Sequence, residues 1–132
     1  MVMTKTMAKH KKIEQYNKDE TVLIVDDNEQ NLELLGAYLE ELDCRTVPAK
    51  DGLEALEIIK RANPDLILLD VMMPKMSGFE VCRRIKGNPV TASIPVIMVT
   101  ALNEIGDIER AINSGTDDFL SKPINKWELI TR

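Results

Sequence analysis

The chain has 132 residues, 44% of them hydrophobic and 30% charged, with a formal net charge of −5; that length supplies one core rather than two, and the balance is that of an ordinary globular domain. No apolar run approaches the roughly 18 residues of a membrane span and no apolar export segment opens the chain, so a cytoplasmic protein without a membrane anchor is expected. Residues 1–20 carry five lysines against Glu14, Asp19 and Glu20, which leaves a strongly acidic body, unsuited to direct nucleic-acid contact and compatible with a cation site.

Residues 1–20 have mixed polarity and no sustained period, and read as a flexible leader with frayed helix over 13–17. His10, the single histidine, lies there and is assigned no catalytic or metal role. Val22, Leu23, Ile24 and Val25 then form an apolar run too short for a helix, as in a strand buried on both faces of a parallel sheet. It ends on Asp26 and Asp27, and Asn28 is suited to cap a helix. Leu32, Leu35, Leu39 and Leu42 follow at helical spacing. Residues 44–47 lean towards β structure and Pro48 closes them, so an edge strand is expected. Asp51 and Gly52 lead into a helix with Leu53, Leu56 and Ile59 or Ala62 inward, stopped by Asn63 and Pro64.

Leu66, Ile67, Leu68 and Leu69 make the central buried strand, which ends on Asp70. A loop over 71–77 leads to a helix packing Phe79, Cys82 and Ile85. Residues 95–99 form a fourth buried strand ending on Thr100. A helix with Ile105, Ile108, Ala111 and Ile112 inward comes next, and Asp118, Phe119 and Leu120 form a short fifth strand before Lys122 and Pro123. Trp127 and Ile130 begin a last helix that the chain end cuts short. The two cysteines, Cys44 and Cys82, have no metal-ligand spacing and read as reduced, buried apolar residues.

Short strands alternating with helices imply an α/β fold, a doubly wound parallel sheet with helices on both faces. In such sheets ligands bind beyond the carboxyl ends of the strands. Asp26, Asp27, Asp70, Thr100 and Lys122 all end strands and gather there. Carboxylates about 4 Å apart repel by roughly 4 kcal/mol per pair at an effective dielectric near 20. Compensation comes from Lys122 and from a divalent cation, for which all-oxygen ligands favour Mg²⁺ or Mn²⁺ over zinc. A Gly-rich phosphate cradle is absent, which leaves ATP or NAD binding little support. A carboxylate beside a metal, a hydroxyl and an ammonium suits capture of a phosphoryl group as an acyl phosphate.

The motifs VLIVDDN, DLILLDVMMPKMSGFEVCRRIK, IPVIMVTA and DDFLSKP, in that order over 21–132, resemble the response-regulator receiver domain of two-component signalling, of the chemotaxis-regulator kind. The resemblance implies a five-stranded flavodoxin-like (βα)5 sheet in the order 2-1-3-4-5. It implies Asp70 as phosphoacceptor, Mg²⁺ held by Asp26, Asp27, Asp70 and the backbone carbonyl of Met72, and Thr100 and Lys122 as the switch hydroxyl and lysine. It also implies a cis Lys122–Pro123 bond and Phe119 at the aromatic switch position, where many relatives have tyrosine. The expected partner is a sensor histidine kinase or phosphotransfer protein, and the chain is expected to be a switch rather than an enzyme. Homodimerisation or docking through the fourth helix, fifth strand and last helix is the family's usual output. Met72 and Leu102 flank the expected path of attacking water and cannot orient it, which implies slow self-hydrolysis. The connection GNPVTASIP resembles receivers at the front of diguanylate cyclases and hybrid kinases.

Two other classes compete. A metal-dependent phosphohydrolase with an aspartyl nucleophile uses similar groups but wants a second acid where Met72 stands. A flavin- or nucleotide-binding module on the same fold is disfavoured by the acidic pocket.

Overall fold

The structure, a computed structural model, describes residues 13–16, 19–101, 105–122 and 129. Five strands, β1 (Thr21–Val25), β2 (Arg45–Ala49), β3 (Leu66–Asp70), β4 (Val96–Thr100) and β5 (Asp118–Ser121), form one parallel sheet in the order β2-β1-β3-β4-β5. Between them run α1 (Glu29–Glu41), α2 (Gly52–Ala62), α3 (Gly78–Gly87) and α4 (Ile105–Asn113). The expected fold class and strand order are both borne out.

Alternation along the strands sorts the core into two layers, because successive side chains leave a strand on opposite faces. Leu23, Val25, Ile67, Leu69 and Met98 face α2, α3 and the Ala111 side of α4. Ile24, Leu68, Ile97, Val99 and Leu120 face Leu32, Leu35 and Leu39 of α1. Every residue of β3 and β4 is buried, which accounts for their unbroken apolar sequence.

Three local expectations change. The leader reading fails at residues 13–16: Ile13 and Tyr16 are buried in the α1-side layer, joined by a short 3₁₀ turn over Ile13–Gln15. A three-residue turn carries no periodic pattern, so its burial depends on a groove built by distant elements. The second strand starts at Arg45 rather than Cys44 and continues through Pro48, which pairs with Ile24. Pro48 is tolerated because β2 is an edge strand. In α2 the inward stripe is Gly52, Ala55, Ile58 and Ile59, while Leu53 is 56% exposed. Close approach of α3 sets that phase: a Cβ added at Gly52 would lie 2.7 Å from Val81 Cγ2, so small residues occupy the contact. The expected inner face of α3, Phe79, Cys82 and Ile85, is buried. Of the stripe expected on α4, Ala111 is buried, while the side chains of Ile105 and Ile108 lie outside the described set. His10, Leu102, Pro123, Trp127 and Ile130 lie outside the described residues; Leu129 is buried in the α1-side layer.

Candidate functional site

Register brings the strand ends to one rim. Val25 pairs with Leu69, so Asp26 and Asp70 leave neighbouring strands side by side. Asp70 pairs with Val99 and Thr100 with Ser121, which sets Thr100 and then Lys122 on the next two strands. The Lys122 N–H donates to the Thr100 carbonyl at 2.7 Å, fixing where the lysine departs. Asp26, Asp70 and Thr100 are buried, whereas Asp27 is exposed.

One carboxylate oxygen each from Asp26, Asp27 and Asp70 lies within 4.8 Å of the others. Lys122 Nζ sits 3.0 Å from Asp70 Oδ1 and 3.4 Å from Asp26 Oδ2. Asp26 is further anchored by its own helix start. Its Oδ1 accepts the Asn28 N–H at 2.9 Å, and its Oδ2 accepts the Asn31 side-chain amide at 3.2 Å. Asn28 in turn caps α1, accepting the Gln30 and Asn31 N–H groups. Asn31 was not singled out from the sequence. Its one signal is a polar residue next to Leu32, the first inward position of the helix.

Asp70 differs from Asp26. Its Oδ1 is buried, and although the Lys122 ammonium is near, no group among the described residues reaches it in hydrogen-bonding geometry. Burial raises the Asp70 carboxyl above the usual aspartate range; Lys122 opposes that, and Asp26 and Asp27 add to it. Burial pulls the Lys122 ammonium down, but Asp70 and Asp26 outweigh it and hold the amine above its ordinary value. The pocket is therefore a charged nest with a surplus of carboxylate and one underused oxygen.

The backbone behind Asp70 is tightly determined. The loop over 71–77 is closed by the Gly78 N–H donating to the Val71 carbonyl at 2.9 Å. A Cβ at Gly78 would overlap the Asp70 carbonyl oxygen and lie 2.8 Å from Val71 Cα, so only glycine fits. Met72, two residues beyond Asp70, is 63% exposed. Phe119 is half-buried, pairs with Met98 and packs against the α2–α3 layer.

The donor set fits a hard divalent cation, which takes carboxylate oxygens and keeps water. Opposite ligands of an octahedral ion with bonds of about 2.1 Å are about 4.2 Å apart, so three oxygens already within 4.8 Å need only a small contraction. The orphaned Asp70 oxygen is the acceptor such an ion would satisfy.

Comparison with known proteins agrees with this geometry. Residues 22–132 match the family model described as the response regulator receiver domain. The chain is 48% identical over 111 residues to the response regulator PleD of Caulobacter vibrioides, covering 84% of this chain and 24% of that protein, so it spans about a quarter of that relative. It is 41% identical over 105 residues to the polar-differentiation response regulator DivK of Brucella ovis, covering 80% of this chain and 85% of DivK. Among solved structures, the signal receiver domain of a signal transduction histidine kinase from Syntrophus aciditrophicus superposes with a TM-score of 0.79 at 39% identity, covering 83% of each chain. With the strand order, the acidic rim and these matches in agreement, the chain belongs to the response-regulator receiver domain family, whose general function is to accept a phosphoryl group as a signalling switch.

Proposed function

We propose that Asp70 is the phosphoacceptor of this receiver, taking a phosphoryl group from a phosphohistidine of a sensor kinase or phosphotransfer protein. The observation that carries the reading is the buried Asp70 carboxylate, 3.0 Å from Lys122 and with no hydrogen bond to Oδ1 among the described residues. An Asp70 oxygen forms the new bond to phosphorus as the donor's nitrogen–phosphorus bond breaks, and the imidazole leaves with the bonding pair. Lys122 pairs with a phosphoryl oxygen and the Thr100 hydroxyl donates to another. Asp26, Asp27, Asp70 and the Met72 carbonyl would hold Mg²⁺, with Mn²⁺ a substitute; bound there, the ion neutralises charge on the phosphoryl oxygens.

Phosphorylation adds about two negative charges and three acceptor oxygens at the rim. Thr100 and Lys122 move towards them, and Phe119 packs into the space released, altering the face built on α4, β5 and the last helix. That face serves homodimerisation or output docking, and the switch runs in the cytoplasm. The receiver unit comprises residues 21–132, with the turn at 13–16 packed on it and the remainder of 1–20 as a leader. The chain acts as a switch that promotes its own phosphorylation and slow dephosphorylation.

Incubation with Mg²⁺ and a small phosphodonor, followed by intact mass measurement, tests the reading. A single phosphoryl adduct, cleaved by hydroxylamine and lost in Asp70→Asn, is expected. An adduct retained in Asp70→Asn, or steady turnover of phosphomonoesters, would overturn it in favour of another acceptor or of a phosphohydrolase.

A further inference from the structure

Three of the chain's seven methionines, Met72, Met73 and Met76, stand in the loop that carries the chain away from Asp70. The fold treats them differently. The Met73 N–H donates to the Val71 carbonyl at 3.1 Å, a tight turn with Met72 at its tip. A second tight turn, from the Met76 N–H to the Pro74 carbonyl at 2.7 Å, runs about Lys75, whose φ is 68°. It brings Met76 back onto α2, where its Sδ lies 3.2 Å from the place a Cβ would take on Gly52. Met73 and Met76 pack, partly buried, against the α2–α3 layer, and Met98 of β4 is 0% exposed within it. Met72 is left 63% exposed, between the buried Val71 and the partly buried Met73. Its place is two residues beyond an Asp70 that is itself only 3% exposed.

An exposed thioether is the form of methionine that oxidants reach, and its sulfoxide is polar where the parent side chain was apolar. We propose that Met72 is an oxidation site for hydrogen peroxide and that its sulfoxide shortens the life of the acyl phosphate at Asp70. A sulfur lone pair attacks one peroxide oxygen, and the S–O bond forms as the O–O bond breaks. The departing hydroxide takes the proton from the sulfur-bound oxygen and leaves as water. Sulfur gives up two electrons and the peroxide is reduced. A dithiol used by a sulfoxide reductase reverses the change, becoming a disulfide while the oxygen leaves as water. The effect on the acyl phosphate rests on Asp70 as phosphoacceptor. There the sulfoxide oxygen accepts a hydrogen bond from water beside the acyl phosphate, whereas the thioether is too weak an acceptor to orient it. One such bond, made in the transition state, gives about fivefold faster decay.

The test uses the full chain, treated with hydrogen peroxide, then digested and read by fragment-ion mass spectrometry. Met72 gains one oxygen several-fold faster than Met73, Met76 or Met98. The treated chain is then phosphorylated with Mg²⁺ and a small donor, and loss of the adduct is followed with time. Decay is about fivefold faster than in the untreated chain and returns to the untreated rate after reductase and dithiol. In Met72→Leu it is the same with and without peroxide. Equal oxidation of Met72 and Met98, unchanged decay with Met72 fully oxidised, or the same acceleration in treated Met72→Leu would overturn the proposal. An untreated chain that takes no phosphoryl group at Asp70 refutes the phosphoacceptor reading and the effect on decay together; the order of oxidation then decides the site alone.

Discussion

Replacing Asp70 by asparagine removes one charge from the acidic rim and almost no volume. At an effective dielectric near 20, Lys122 at 3.0 Å attracts the Asp70 carboxylate by about 5.5 kcal/mol. Asp26, within 4.8 Å, repels it by about 3.5 kcal/mol or more. Asp27 adds a smaller repulsion because it is exposed and screened by water. These pair interactions nearly cancel, so the sign falls to burial of the charge, the first cause of the raised Asp70 pKa. Asp70→Asn is therefore expected to stabilise the metal-free protein by about 1–3 kcal/mol, or roughly 3–10 °C in Tm for a domain of this size. Because the folded state holds this carboxyl above its ordinary 3.8, the stability it contributes is complete below that pH and is lost as pH rises through the folded-state pKa. The Tm difference between variant and parent in chelator therefore opens as pH climbs above 3.8 and then levels off. Adding Mg²⁺ raises the parent's Tm by mass action and the variant's much less. Scanning calorimetry from about pH 3 to about pH 8, with chelator and with Mg²⁺, measures all of this. A variant no more stable than its parent near neutral pH in chelator, or a gap that does not change with pH, would refute the argument from burial.

Three further outcomes follow from neighbouring contacts. Gly78→Ala forces a Cβ into the Asp70 carbonyl and Val71 Cα, both backbone, and should cost about 2–3 kcal/mol in urea unfolding while slowing phosphorylation from a small donor. Lys86 is pinned to Asp117 at 2.7 Å and donates to the Ala92 and Ile94 carbonyls, so Lys86→Met removes the cation from a half-buried carboxylate that still accepts the Val96 N–H. A loss of about 3 kcal/mol is expected, with a double-mutant cycle against Asp117→Asn recovering part of it; additive losses would deny the coupling. Met72→Asn puts a hydrogen-bonding side chain beside the path of water to the acyl phosphate proposed at Asp70. A bond worth about 1 kcal/mol in the transition state corresponds to about fivefold faster decay, read from loss of the phosphoryl adduct with time.

Much of this molecule is written in short, local patterns. Buried parallel strands require unbroken apolar runs, and the runs at 22–25, 66–69 and 96–99 each stop on a polar residue. Once the strands are parallel, simple register carries Asp26, Asp70, Thr100 and Lys122 to one rim, so the pocket was legible before any coordinates. The inward phase of α2 was not. Leu53 outranks Gly52 and Ala55 on hydrophobicity, but helix approach selects for small size, a property of the contact rather than of the segment.

The amino-acid order by itself determined the layered parallel fold and the chemistry gathered at its rim, because strand alternation and chain-end polarity are properties of a few adjacent residues. Only the tertiary structure decided the second carboxylate anchor at Asn31, the Lys86–Asp117 pin and the burial of Ile13 and Tyr16. Each depends on groups that packing brings together from separate elements, where no periodicity in the intervening chain announces the contact.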